Sequence, residues 1–136
     1  LVSLSMKEIG EKIDPTKNNL LITISSSSNN SKVMYDLGKY TNKLSKSLKI
    51  NKSIFGFFGN EEDIYKNIDD IISDKNFEKI VLNPLFLFDG FLYQTTTKKF
   101  RLKYRKKILI TPPILKNKGT FKTFVREINN ELLLFK

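Results

Sequence analysis

Two residue types that carry much of the chemistry of small enzymes are missing from this chain, which has no histidine and no cysteine. Without imidazole, Ser–His–Asp and Cys–His relays are excluded, and so is an imidazole metal ligand. Without thiols there is no disulfide, no thiolate nucleophile and no sulfur-ligated metal. That fits a reducing compartment without requiring one. Hydroxyls, carboxylates and cations remain. Ser25, Ser26, Ser27 and Ser28, followed by Asn29 and Asn30, could gather an anion where backbone N–H groups converge at a helix start. The run lacks the glycine spacing of phosphate loops, so a solvated capping loop is the plainer reading. Asp69, Asp70 and Asp74 could in principle hold a hard cation. Their spacing, however, puts them on the polar side of an amphipathic helix, where solvated carboxylates are ordinary.

The cationic feature is denser. Lys98, Lys99, Arg101, Lys103, Arg105, Lys106 and Lys107 place seven positive charges in ten residues without one acid. If this segment is helical, Phe100 and Tyr104 share a face at i, i+4 and leave the cations around them. That would give two aromatic anchors and a charged rim, suited to RNA, an acidic subunit or a carboxylated ligand. The alternative is a solvated face on a lysine-heavy chain. The net charge of +10 also points to an anionic partner. Half of the fourteen acids lie between Glu61 and Glu78, so the charge is lopsided. A group of aromatics, Phe55, Phe57, Phe58, Phe86, Phe88 and Phe91, would either line a flat apolar pocket or belong to the core or a dimer interface.

These residues need elements to position them. Asn19 to Ser25 is a continuous apolar run of strand length, as expected of a parallel strand covered on both faces. Val33, Leu37, Tyr40, Leu44 and Leu48 then recur at helical spacing. Ser53 to Phe58 reads as strand two, and Asn60 as the N-cap of a helix with stripe Ile64, Ile68, Ile71 and Ile72. Lys79 to Asn83 is strand three, Lys107 to Thr111 strand four, and Thr120 caps a last helix bearing Phe121, Phe124, Val125, Ile128 and Leu132. Met6 to Ile13 reads as a short helix ending near Asp14-Pro15. Alternation of this kind argues for βαβ units and a parallel sheet, with any ligand beyond the carboxyl ends of the strands. No apolar run approaches the ~20 residues that span a bilayer. Composition adds that there is no alanine or tryptophan, and that lysine outnumbers arginine twenty-one to three. That skew matches AT-rich codon usage and points to an organelle, plastid or mitochondrion, with the cytoplasm as the alternative.

The order of elements resembles the small sirohydrochlorin chelatases, often called CbiX-type, across residues 19–134. The clearest match is Ile80-Val-Leu-Asn-Pro-Leu-Phe-Leu-Phe-Asp-Gly90, similar to that family's strand followed by Pro-x-Phe-Leu-x-x-Gly. Leu20 to Ile24 resembles its first strand, Phe55 to Phe58 its second, and Thr111-Pro-Pro-Ile-Leu115 the turn before its final helix. The resemblance implies a three-layer α/β fold: a four-stranded parallel sheet with helices on both faces, in a domain over residues 19–136 preceded by an extension over residues 1–18. It also implies homodimers and insertion of Co²⁺ or Fe²⁺ into a tetrapyrrole bearing eight carboxylates.

The family's two histidines would fall at Ser25 and Leu92, and an acidic residue after strand two would fall near Gly59. A neutral hydroxyl binds Co²⁺ or Fe²⁺ weakly and is no general base near neutral pH, and leucine binds no metal. The expectation is therefore a pseudoenzyme with no catalytic residue, no metal and no cofactor. Its partner would be a larger protein or ribonucleoprotein assembly or a second copy, met through the seven cations. A vestigial cleft would be lined by Ser25, Ser26, Ser27, Phe57, Pro84, Phe86, Gly90 and Tyr93, with tetrapyrrole as an alternative ligand. The rival expectation is a divergent chelatase that still metallates sirohydrochlorin or a related tetrapyrrole.

Overall fold

The computed structural model describes residues 7, 9–26, 31–59, 61–74, 77–86, 89–114 and 126. In chain order these form β1 (Asn19–Ser25), α1 (Ser31–Ser47), β2 (Lys52–Phe57), α2 (Glu61–Asp74), β3 (Lys79–Pro84), α3 (Phe91–Tyr104), a 3-10 turn (Arg105–Lys107) and β4 (Ile108–Ile110). The strands form one parallel sheet in the order β2-β1-β3-β4. The α/β architecture read from the sequence is therefore present. Its strand boundaries shift by a residue or two: β2 starts at Lys52, β3 takes in Pro84, and β4 is only three residues long. The expected last helix and the Asn60 cap lie outside the described residues.

The central strand shows why an unbroken apolar run was needed. Ile22 sits between Ile54 of β2 and Leu82 of β3, and both faces of β1 are covered. Leu20, Ile22 and Ile24 enter a cluster with Ile64, Tyr65 and Ile68 of α2 and with Tyr93 and Phe100 of α3. Leu21 points the other way and packs with Leu44, Leu48, Ile50 and Val81. The chain reverses its winding direction after β2, so α1 covers one face and α2 with α3 the other. Burying one such Leu or Ile side chain is worth about 1.5–3 kcal/mol, and this two-sided burial holds the sheet.

Close approach and helix termination are settled locally. Gly56 of β2 lies directly beneath Ile64 of α2, and a Cβ there would come within 2.9 Å of Ile64 Cγ1. At the end of α1, Ile50 N–H donates to the Ser45 carbonyl and Lys49 N–H to that of Lys46, with Lys49 at φ 58°. This is a Schellman closure with lysine where glycine is usual.

Part of the stretch before β1 packs onto the sheet. Ile9 is fully buried and Ile13 packs against the same cluster as Leu44 and Val81. Periodicity over eight residues with only three large apolar side chains was too little to reveal that docking. The turn after it is tied by Asp14, which accepts hydrogen bonds from the Thr16 hydroxyl and N–H. These bonds hold the Asp14 carboxyl below the usual carboxylate range. The buried Asn19 amide donates to the Asp14 carbonyl at 2.9 Å and fixes that turn to the start of β1. Among the described residues no helix is long and apolar enough to cross a membrane.

Candidate functional site

At the carboxyl edge of the sheet, where a ligand was expected, the backbone ladder continues one residue past the strands. Phe58 N–H donates to the Ser25 carbonyl at 2.8 Å, and Leu85 N–H to the Ile24 carbonyl at 2.7 Å. Ser25 pairs in register with Phe57, and Ile24 with Pro84. The topology thus brings most of the expected cleft residues to one edge, but packing uses half of them. Phe57, Pro84, Phe86 and Tyr93 are buried, and Phe86 and Tyr93 belong to the core cluster with Phe100. Phe86 and Tyr93 are thus packed among core side chains. Ser25 is half-buried, Ser26 and Gly90 are exposed, and Ser27 lies outside the described residues. Leu92 is half-buried against the same cluster. The aromatics likewise divide. Phe55 is exposed beside Gly38 on the α1 face, while Phe58 and Phe91 meet edge to face at 6.4 Å on the other. Phe88 lies outside the described residues.

Behind this edge runs a polar row that pattern reading missed. The Thr111 hydroxyl donates to Asn83 Oδ1 at 2.8 Å, and Asn83 Nδ2 donates to the Tyr40 hydroxyl at 3.0 Å. The Tyr93 hydroxyl donates to the Thr111 carbonyl at 2.8 Å. The chain of bonds therefore links α1, β3, the residue after β4 and α3, passing from one face of the sheet to the other. Burial pushes the Tyr93 phenol up, against a smaller lowering by Arg101 and with Asp89 adding to the rise. Next to Asn83 in register is Thr23, fully buried, whose hydroxyl has no partner among the described residues. The signal was there as polar breaks, Thr23, Asn83 and Thr111, at the carboxyl ends of apolar strands. Adjacent strands had to be aligned before those breaks became one row.

The basic segment divides between two elements. Lys98 to Tyr104 forms the last turns of α3, and Arg105 to Lys107 the 3-10 turn. All seven cations are exposed. The two aromatics expected as partner anchors are not available. Phe100 is fully buried, and Tyr104 is half-buried beside it with ring centroids 5.9 Å apart. The i, i+4 spacing was right, but the shared face turns inward to Tyr65, 5.1 Å from Phe100. Burial of Tyr104, aided by Asp69 and Tyr65, pushes its phenol far above the usual range. Lys103 bridges to α2, with its ammonium 3.7 Å from Asp69 Oδ2 and 4.4 Å from the centre of the Tyr65 ring. Asp69 and Asp70 are exposed, as their helix pattern implied.

What faces outward on α3 is different from the sequence expectation. Gln94, Thr95, Thr97, Lys98, Arg101 and Leu102 line a shallow groove along the helix. Leu102 is 69% exposed and Phe91 77%. A second groove, lined by Met34, Tyr35, Gly38, Lys39, Asn42 and Phe55, lies between α1 and β2. A third, lined by Lys17, Asn18, Phe77, Glu78 and Lys107, lies at the opposite end of the sheet. Among the described residues no three or more acidic side chains group as metal ligands would. Compared with protein-family models and with curated proteins, the chain matches none.

Proposed function

We propose that this chain is a non-catalytic protein of chelatase-like fold, related to the small sirohydrochlorin chelatases, that serves as a binding or structural component of a larger, organellar assembly. The observation that carries the reading is the state of the two positions where that family's histidines would stand. Ser25 is held at the end of β1 with its carbonyl bonded to Phe58 N–H, and Leu92 packs against the core. The serine hydroxyl is a weak ligand for Co²⁺ or Fe²⁺ and no base for a pyrrole proton near neutral pH, and leucine offers no donor atom at all. Meanwhile all seven cations between Lys98 and Lys107 face solvent, which is where an anionic partner would meet the molecule.

The rival reading, a divergent chelatase, is favoured by one observation: a +10 chain suits a substrate bearing eight carboxylates. The two part in a spectroscopic titration with sirohydrochlorin, with and without Co²⁺ or Fe²⁺. The non-catalytic reading expects metallation no faster than in protein-free buffer. Acceleration above that background would replace it with the enzyme reading.

A further inference from the structure

The three helices divide their surfaces differently. In α2 the buried residues gather on one side and polar residues on the other, as in any helix lying on a sheet, while α1 adds exposed Val33, Met34 and Tyr35 in its first turns. In α3 apolar side chains occur on both sides. Tyr93, Thr96, Thr97 and Phe100 face the sheet and are buried. Directly opposite, Phe91, Thr95, Lys98 and Leu102 follow one another at i, i+4, i+7 and i+11 and point away from the core. That spacing is the repeat with which one helix meets another. Lys99 flanks this line on one side and Arg101 on the other, and both are exposed. Among the described residues, Lys98, Lys99 and Arg101 make no ion pair, whereas Lys103 is engaged by Asp69.

We infer that the outer face of α3 is a docking surface for an acidic amphipathic helix of a partner protein. Charge complementarity fixes the sign of the partner, since the cations flanking the line meet no acid of α3 itself. The apolar residues fix its class. A phosphate backbone would satisfy Lys98 and Arg101 but would leave Leu102 facing polar atoms. An aliphatic side chain with most of its surface in water gains from an apolar knob set between carboxylates. The groove lined by Thr95, Lys98, Arg101 and Leu102 is where such a knob would seat. The inference rests on the proposed binding role and names its partner.

The test uses the full chain and three labelled probes. One is a designed helical peptide with leucines at i, i+4, i+7 and i+11 and glutamates between. The second is the same peptide with serines in place of the leucines, and the third an oligouridylate of equal charge. Fluorescence anisotropy should give at least tenfold tighter binding of the leucine peptide than of the serine peptide. Leu102→Gln should remove most of that difference, and Lys98→Glu with Arg101→Glu should weaken both peptides tenfold or more. All three positions are exposed, so circular dichroism should report unchanged folding. Equal binding of the two peptides, tighter oligouridylate binding insensitive to Leu102→Gln, or no binding of any probe would each overturn the inference. Metallation of sirohydrochlorin would sink the non-catalytic reading while leaving this peptide result standing, so the two failures are distinguishable.

Discussion

The Tyr93 hydroxyl shows how much one polar atom can tie together. It reaches the Thr111 carbonyl, whose own side chain holds Asn83, which in turn holds Tyr40 on the far side of the sheet. Tyr93→Phe should leave that carbonyl without this donor and cost about 1 kcal/mol in a denaturant titration, the usual net worth of such a bond. The pH dependence has a defined sign. Burial raises the Tyr93 phenol above its unfolded value of about 10. Its contribution is therefore intact below about pH 10 and is lost as pH rises through the folded value. Tyr93→Phe should accordingly unfold at higher pH than its neutral-pH destabilisation alone would suggest; an alkaline midpoint lowered by the full extent of that destabilisation would show that Tyr93 ionises without penalty. Residue types alone disclosed what this site lacks, because absent histidine and cysteine need no structure to interpret. They did not disclose the inward turn of Phe100 and Tyr104, since a shared helical face carries no label saying which way it points.

At the scale of elements, pattern was a good guide wherever packing is two-sided. The Asn19–Ser25 run became the central strand because only a strand covered on both faces uses apolar residues at every position. The segment around Ile9 and the division of the basic run between α3 and the 3-10 turn were less legible. Both depend on contacts distant in sequence. The end of α1 offers a local test. Lys49 occupies a left-handed conformation at φ 58°, which costs a side-chain-bearing residue and costs glycine nothing comparable. Lys49→Gly should stabilise the protein by roughly 0.5–1 kcal/mol in thermal or chemical unfolding. Destabilisation would mean that the Lys49 side chain makes a compensating contact.

For the molecule as a whole, the order β2-β1-β3-β4 makes β1 and β3 interior strands and leaves β2 and β4 at the edges. Native-state hydrogen exchange should find the slowest amides in β1 and β3, at or near the global unfolding free energy, with β2 and β4 faster. Equal protection across all four strands would mean that the sheet opens only by complete unfolding. The architecture was readable because alternation, strand length and winding rules leave few arrangements for a chain of this size. The polar row at the carboxyl edge was not, because it exists only once three strands are aligned.

The same strand order sets a constraint on how the chain is made. Translation delivers β1 first among the strands, yet its two hydrogen-bonding neighbours are β2 and β3, and β3 is complete only at Pro84. Until then Leu20, Leu21, Ile22 and Ile24 have no finished sheet to enter. The nascent chain thus carries this apolar strand without its second neighbour until β3 has been made, as parallel pairings far apart in sequence require.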